Sequence, residues 1–381
     1  MQDTARSSQS FVDLLPGDPA PLFNRRSPTN PNFNFGGIGE TYNVLCFFGS
    51  AGDAVGEATL AAVLANRDVF DDRKARFWGI TIDPQDESQG RVANKPPGLR
   101  YFFDFDLSVA RLYGAAPRDP GPKQAGVQAR RFWIVLDPTY RVMKVLPFAP
   151  DGSDRDALFT YLRQLPPPER FPGFEVHAPI LVLPNVFEPE LCRHLISLYE
   201  TKGGQESGVA RIVDGKTTNV LDHSFKRRRD INIEDRAVIA HLQGRVTRRV
   251  VPEILKVHQF KVTRMERMIV SCYAAEDEAH FSAHRDNTTP GTAHRRFAVS
   301  VNLNSDFAGG EVSFPEYGRR SYKPPAGGAV VFSCSLLHAV SKVTAGRRYA
   351  FLPFLYDEAA AKIRERNNNF VDARTVGAYK R

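Results

Sequence analysis

Cysteine is scarce. Four residues of 381, Cys46, Cys192, Cys272 and Cys334, stand far apart, form no C-x-x-C and lie mostly among apolar neighbours. That spacing argues against a disulfide framework and leaves each thiol as a small core residue. Any run of about 18 apolar residues is also missing, which excludes a bilayer-spanning helix. The opening MQDTARSSQS has no apolar stretch of the kind a secretory signal needs. Residues 1–10 read as disordered, and the expected location is cytoplasmic. There is no internal repeat and no low-complexity tract. Acidic charge is in deficit: 43 Asp and Glu against 51 Lys and Arg give a net charge of +8. The surplus gathers at 226–229 and 245–249, but neither cluster has the interleaved aromatics of a base-stacking platform. Nucleic acid and membrane are therefore not expected partners. The clusters read as solvated surface or internal ion pairs; residues 226–229 are alternatively placed to steer an acidic ligand, unless Asp222 and Asp230 neutralise them.

What is present suits two folded units. An apolar share of 42% with 25% charged residues is ordinary for globular protein, and the length exceeds the usual size of one domain. From 11 to 165 the chain alternates strand and helix patterns: YNVLCFF, then GEATLAAVLANRDVF, RFWGITID, RYFF, DLSVARLYG, a hairpin RRFWIVLD/YRVMKVLPF turning at Asp137-Pro138-Thr139, and a helix from about 153 to 165. This is the grammar of an α/β sandwich. Prolines 166–168 must stop that helix, and 166–175 reads as a linker. Beyond it, helices are expected near 188–202 and 233–255. From Met265 onward come short strands with period-two alternation at Phe297, Val299, Val301 and Leu303, and glycine pairs at Gly309-Gly310 and Gly327-Gly328. Residues 176–358 thus read as an all-β sandwich or barrel with supporting helices, and 359–381 as a C-terminal tail.

Within that β region, His284 and Asp286 stand two positions apart, so in extended backbone they face the same way. A third candidate ligand, His338, ends an apolar strand 52 positions after Asp286. Two histidines and a carboxylate make a facial triad, which leaves three positions of an octahedral ion open and suits Fe(II) with O2. Ten residues further on, Arg348 begins a strand that returns beside His338, bringing a permanently charged carboxylate clamp to the same cavity. His280, four before His284, is a weaker zinc-type alternative. His294, beside Arg295 and Arg296, reads as surface. Arg347 competes with Arg348, but alternation puts the two on opposite faces.

The pieces MIVSCYAA, HRD, VNLNSDFAGGEVSFPEYG, PPAGGAVVF and LHAVSKVTAGRRYAF, in that order, closely resemble the Fe(II)/2-oxoglutarate-dependent dioxygenases of the prolyl 4-hydroxylase-like branch. The resemblance implies a double-stranded β-helix, or jelly roll, with Fe(II) on His284, Asp286 and His338. It implies 2-oxoglutarate on Arg348 with help from Tyr273, O2 as oxidant and ascorbate as accessory reductant. The implied reaction hydroxylates an unactivated C–H bond of a peptidyl residue, proline among the candidates, or of a small amino-acid-like substrate, releasing succinate and CO2. An intact Asp286 favours hydroxylation over the halogenation of relatives that lack this carboxylate.

Residues 11–165 resemble the peroxiredoxin branch of the thioredoxin-like fold through LLPGDPAPLFN, YNVLCFFGSA, WGITIDPQ and FWIVLDPTYRVMKV. The family's peroxidatic cysteine opens the helix after the first core strand; here Ser50, Ala51, Gly52 and Asp53 stand there instead. Cys46 lies inside the strand, where burial disfavours a thiolate. The unit is expected to be catalytically silent and to serve packing, homodimerisation or docking. Two alternatives stay open: a thiol peroxidase with a fused regulatory barrel, and a noncatalytic binding protein for an acidic partner.

Overall fold

The computed structural model describes residues 10–119 and 129–372. The disordered reading of 1–10 therefore falls, but for Ser10, outside the described residues. The chain divides into two compact units, 1–177 with 315–318, and 178–314 with 319–381.

In the first unit, all eight residues of Tyr42–Gly49 are buried, as expected for a strand covered on both faces. It pairs in parallel with Ala75–Thr81 and antiparallel with Phe132–Leu136. Leu99–Phe103 and Val142–Pro147 complete a five-stranded sheet at its two edges. Alternation feeds two cores: Leu45 and Phe47 join Trp78, Phe102 and Ile134 on one side, while Val44, Cys46 and Phe48 join Phe77, Trp133 and Val135 on the other. Helix Ala54–Ala65 begins where the Asp53 side chain accepts the Gly56 amide, a standard N-cap. Helix Ser153–Gln164 buries Leu158, Phe159 and Leu162, and Leu165 is already extended, since a residue before proline avoids the helical region. The proline-rich segment contains a short 3-10 turn, Pro168–Arg170. A hairpin of Asn24–Ser27 with Asn30–Asn34 has no counterpart in the sequence reading, because its polar side chains carry no apolar alternation.

In the second unit, a ten-stranded sheet includes, in order, Arg264–Glu266, Phe354–Tyr356, Phe297–Asn302, Val343–Phe351, Ile269–Ala274 and Arg229–Asn232. One face carries Val299, Val301, Val331 and Phe351 against Leu195 of helix Pro189–Lys202 and Leu242 and Val246 of helix Arg236–Arg249. Each such side chain contributes about 1.5–3 kcal/mol on burial. The opposite face carries Ser300, Tyr273 and Arg348, which line a cavity. Across that cavity lie residues of a second sheet, ordered Lys226–Arg227, His280–His284, His338–Val340, Val312–Ser313 and Ser321–Tyr322.

Two readings differ from the structure here. The single helix expected over 233–255 is two, Arg236–Arg249 and Val251–His258. Pro252 cannot donate to the ladder and its ring collides with the turn before it, so it is placed in the first turn of a new helix. The stretch read as a tail from 359 opens inside helix Glu358–Arg366, capped by the Asp357 carboxylate on the Ala360 amide. Among the described residues, no helix is long and apolar enough to cross a membrane.

Candidate metal centre

Strands His280–His284 and His338–Val340 are antiparallel neighbours, and His284 stands directly opposite His338. Asp286 follows in the turn, its amide donating to the Cys334 carbonyl at 2.9 Å. The three side chains converge, with one donor atom from each within 4.8 Å of the others. His284 Nε2 lies 3.5 Å from Asp286 Oδ1, and His338 Nε2 lies 3.4 Å from Oδ2. Each Nδ1 is engaged elsewhere, by the Ser282 carbonyl at 2.8 Å and the Leu336 carbonyl at 3.0 Å. An Nδ1–H donated to a carbonyl leaves the Nε2 lone pair facing the centre, the arrangement of a metal-ligating histidine. Cis donors about 2.1 Å from one ion stand about 3.0 Å apart, a few tenths closer than these pairs.

The electrostatics suit a cation. Burial, and then the neighbouring His284, push the His338 imidazole down to about 4, so it is neutral at pH 7. Burial alone would raise the Asp286 carboxyl, but the two histidines and Arg295 hold it well below the usual carboxylate range. Phe281 stacks on the His284 ring, centroids 3.5 Å apart, fixing its plane.

Contrary to expectation, Arg348 does not begin a strand beside His338: it lies within Val343–Phe351 on the facing sheet, where it pairs in register with Tyr273. Arg348 is 2% exposed and Tyr273 is 1% exposed. The guanidinium donates from Nε to Asn302 Oδ1 at 3.0 Å and from Nη2 to Ser300 Oγ at 2.7 Å. Its Nη1 is buried without a hydrogen-bond partner. Such an orphaned donor on a charged group fits a missing anionic ligand. Triad, Arg348 and Tyr273 all line one cleft of about 490 Å³ of atom-free space, part of it open to solvent.

Arg347 is exposed and pairs with Glu276 at 2.8 Å. His280 bonds the Glu278 and Ser224 carbonyls and stays outside the cluster. His294, read as surface, is 2% exposed and holds Glu266 Oε2 at 2.9 Å. Its partner comes from a strand 28 residues upstream, a contact no local pattern reveals. All four cysteines are buried and unpaired by disulfides, and burial pushes the Cys46 thiol well above its ordinary value.

The basic cluster at 226–229 divides. Lys226 is buried, with Nζ on Ser207 Oγ at 2.8 Å and on the Gly208 carbonyl at 2.6 Å. Arg228 bonds Asp230 Oδ2 at 2.7 Å and the Tyr273 hydroxyl at 3.2 Å, so internal pairing is what this arginine does. Asp222 pairs with Arg211. Arg228 and Arg267 both line the cavity, and neither was singled out as a site residue. The two-residue spacing of Arg228 and Asp230 was the one signal for the first; Arg267, at a left-handed φ of 63°, offered none.

Comparison with known proteins places these residues in context. Residues 268–356 match the model of the 2OG-Fe(II) oxygenase superfamily. A PKHD-type hydroxylase of Paracoccus denitrificans is 43% identical over 79 residues, 18% of this chain and 35% of that protein. The chain thus spans about a third of the length of the curated relatives it matches. Among solved structures, a prolyl hydroxylase from Trichoplax adhaerens, in complex with a hypoxia inducible factor oxygen degradation domain peptide fragment, aligns at 18% identity and TM-score 0.39, over 49% of this chain and 86% of that one. Peroxidoxin BcpB from Mycobacterium tuberculosis aligns at 18% identity and TM-score 0.32, over 40% and 99%. With the match spanning Tyr273, His284, Asp286, His338 and Arg348, the C-terminal part of the chain carries a 2OG-Fe(II) oxygenase domain.

Proposed function

We propose that the protein is a 2-oxoglutarate-dependent dioxygenase that hydroxylates an unactivated C–H bond of a peptidyl residue, proline first among them, or of a small amino-acid-like substrate. Under this reading the five-stranded and ten-stranded sheets of the second unit form a double-stranded β-helix. The first unit is a thioredoxin-like fold without a peroxidatic cysteine. His284, Asp286 and His338 would hold Fe(II), which supplies oxygen chemistry coupled to conversion of 2-oxoglutarate into succinate and CO2. Ascorbate would keep the iron reduced.

The chain's own residues supply position, charge and exclusion of water. Arg348, held at two of its nitrogens by Ser300 and Asn302, offers Nη1 to the distal carboxylate. Arg228 donates to the Tyr273 oxygen, which leaves the Tyr273 hydroxyl proton free to be donated to the same ligand. Val312, Phe332 and Val340 give the triad side an apolar wall, which strengthens every polar contact inside.

The reading is carried by one observation: the metal-type cluster shares a cavity with a buried arginine that has a nitrogen to spare. Metal content and 2-oxoglutarate affinity test it separately. Asp286→Ala is expected to lose the metal, and Arg348→Gln to keep the metal while weakening the keto acid. Retention of both ligands in both variants would refute the assignment. The thiol-peroxidase alternative has little support, since Cys46 is buried with its thiolate suppressed.

A further inference from the structure

The cavity holds more positive charge than the keto acid requires. Besides Arg348, it is lined by the guanidiniums of Arg228 and Arg267. Asp230 stands between these two, accepting from Arg228 Nη2 at 2.7 Å and lying 3.6 Å from Arg267 Nη2. Arg228 is 7% exposed, and its Nε is buried without a hydrogen-bond partner. A buried donor on a charged group is costly to leave unmade, so this nitrogen, like Arg348 Nη1, has room for an acceptor, while Asp230 Oδ1 beside it is likewise buried without a partner.

The two arginine positions are distinct. Arg229 pairs with Cys272 and Arg348 with Tyr273, so Arg228, Tyr273 and Arg348 form a row across three neighbouring backbones. At about 4.8 Å per step, the outer two backbones are roughly 10 Å apart. Arg348 is tied to Ser300 and Asn302 and Arg228 to Asp230 and Ser207, with Arg228 Nη1 turned to the Tyr273 hydroxyl between them at 3.2 Å. A carboxylate seated on Arg348 and Tyr273 therefore meets Arg228 only through that hydroxyl and leaves Arg267 unserved. Charge makes the same point. Three arginines and one carboxylate, Asp286, line the cavity, with Asp230 and Lys226 buried beside them as charges of opposite sign, so positive charge remains after a divalent ion and a dianionic keto acid cancel.

We infer that the cavity takes, besides the keto acid, a substrate with a free carboxylate, held by Arg228 and Arg267 around Asp230. The two guanidiniums already share one carboxylate, that of Asp230, so the added acceptor is taken to be a carboxylate, and a phosphate monoester is the alternative that the titration tests. This rests on the oxygenase reading above and names the substrate class of that same site.

The test is calorimetric titration of the full chain loaded with Mn(II) and 2-oxoglutarate. The probes are acid and amide pairs: L-proline with L-prolinamide, N-acetylglycine with its amide, benzoate with benzamide, and phosphoserine as the dianion. At least one acid is expected to bind about tenfold or more tightly than its amide, the margin of a charge-assisted hydrogen bond. Arg267→Gln, at a partly exposed side chain where folding is less at risk than in Arg228→Gln, is expected to abolish that preference. The inference is overturned if no acid is preferred, if the preference survives Arg267→Gln, if phosphoserine binds best, or if keto-acid and probe affinity fall together by one factor. Failure of the Mn(II)-loaded protein to bind 2-oxoglutarate at all would overturn both this inference and the reading beneath it.

Discussion

Asp286 is the side chain whose loss should be least tolerable. Its two oxygens each face one histidine Nε2, so no other residue of the cluster can stand in for it. Asp286→Ala is expected to lower 2-oxoglutarate consumption at least about 100-fold through lost metal affinity, measured alongside bound iron. Arg348→Gln removes a charge-assisted grip and should raise the keto-acid dissociation constant about 10- to 100-fold, with metal content unchanged. The triad could be read from the sequence because His284 and Asp286 obey the two-residue period of extended backbone and His338 ends an apolar strand. Arg228 and Arg267 could not, because their place depends on Asp230 and Tyr273 being brought together by strand pairing. His294 failed for the same reason: a histidine between polar residues looks exposed until Glu266 arrives from another strand.

The turn after strand Phe307–Gly309 shows how a loop shapes the site from outside it. Gly310 has φ +65°, and a Cβ there would stand 2.9 Å from Val343 Cγ2 and 3.1 Å from Arg348 Cδ. Gly310→Ala should therefore cost about 1–2 kcal/mol of stability for the left-handed backbone, and should weaken the keto acid several-fold by displacing Arg348. Thermal melting and ligand titration of this variant check the two effects independently. Glycine pairs at such turns are visible in a sequence; the residue they make room for is not.

Glu266 joins three elements, bonding His294 and Arg295 at 2.9 Å each and Arg364 of helix Glu358–Arg366 at 2.9 Å. Burial lowers the His294 imidazole below its ordinary value, with Glu266 opposing only in part. The folded chain then binds fewer protons at this site than the unfolded chain, whose histidine titrates near about 6.5. This contribution to stability is whole above that pH and is lost progressively as the pH falls from there through the lower folded value. The melting temperature should decline on acidification from about pH 7.5 to 5.5, and less steeply in His294→Gln. Equal slopes would remove His294 from the account.

Across the whole chain, the sequence pattern was informative wherever apolar residues run unbroken between turn signals or recur at a fixed period. The first unit's five-stranded sheet and the alternating strand Phe297–Asn302 follow directly from it. The polar hairpin Asn24–Asn34 does not, since nothing in it marks an inward face; the hairpin 209–220 has a legible signal, Asp214-Gly215 after Val209–Val213, that the sequence reading leaves unused. The cysteines give a check that spans both units. All four are buried, so a thiol reagent should find none reacting quickly in the native protein and four after unfolding. A fast native thiol that Cys46→Ser removes would instead restore the peroxidase reading.

The most direct trial of the central claim is aerobic turnover of 2-oxoglutarate, with succinate and CO2 both quantified. The account predicts that they appear in equal amounts, only when Fe(II) is supplied, and not in Asp286→Ala. Keto-acid loss that proceeds without iron, or that persists unchanged in the variant, would contradict it.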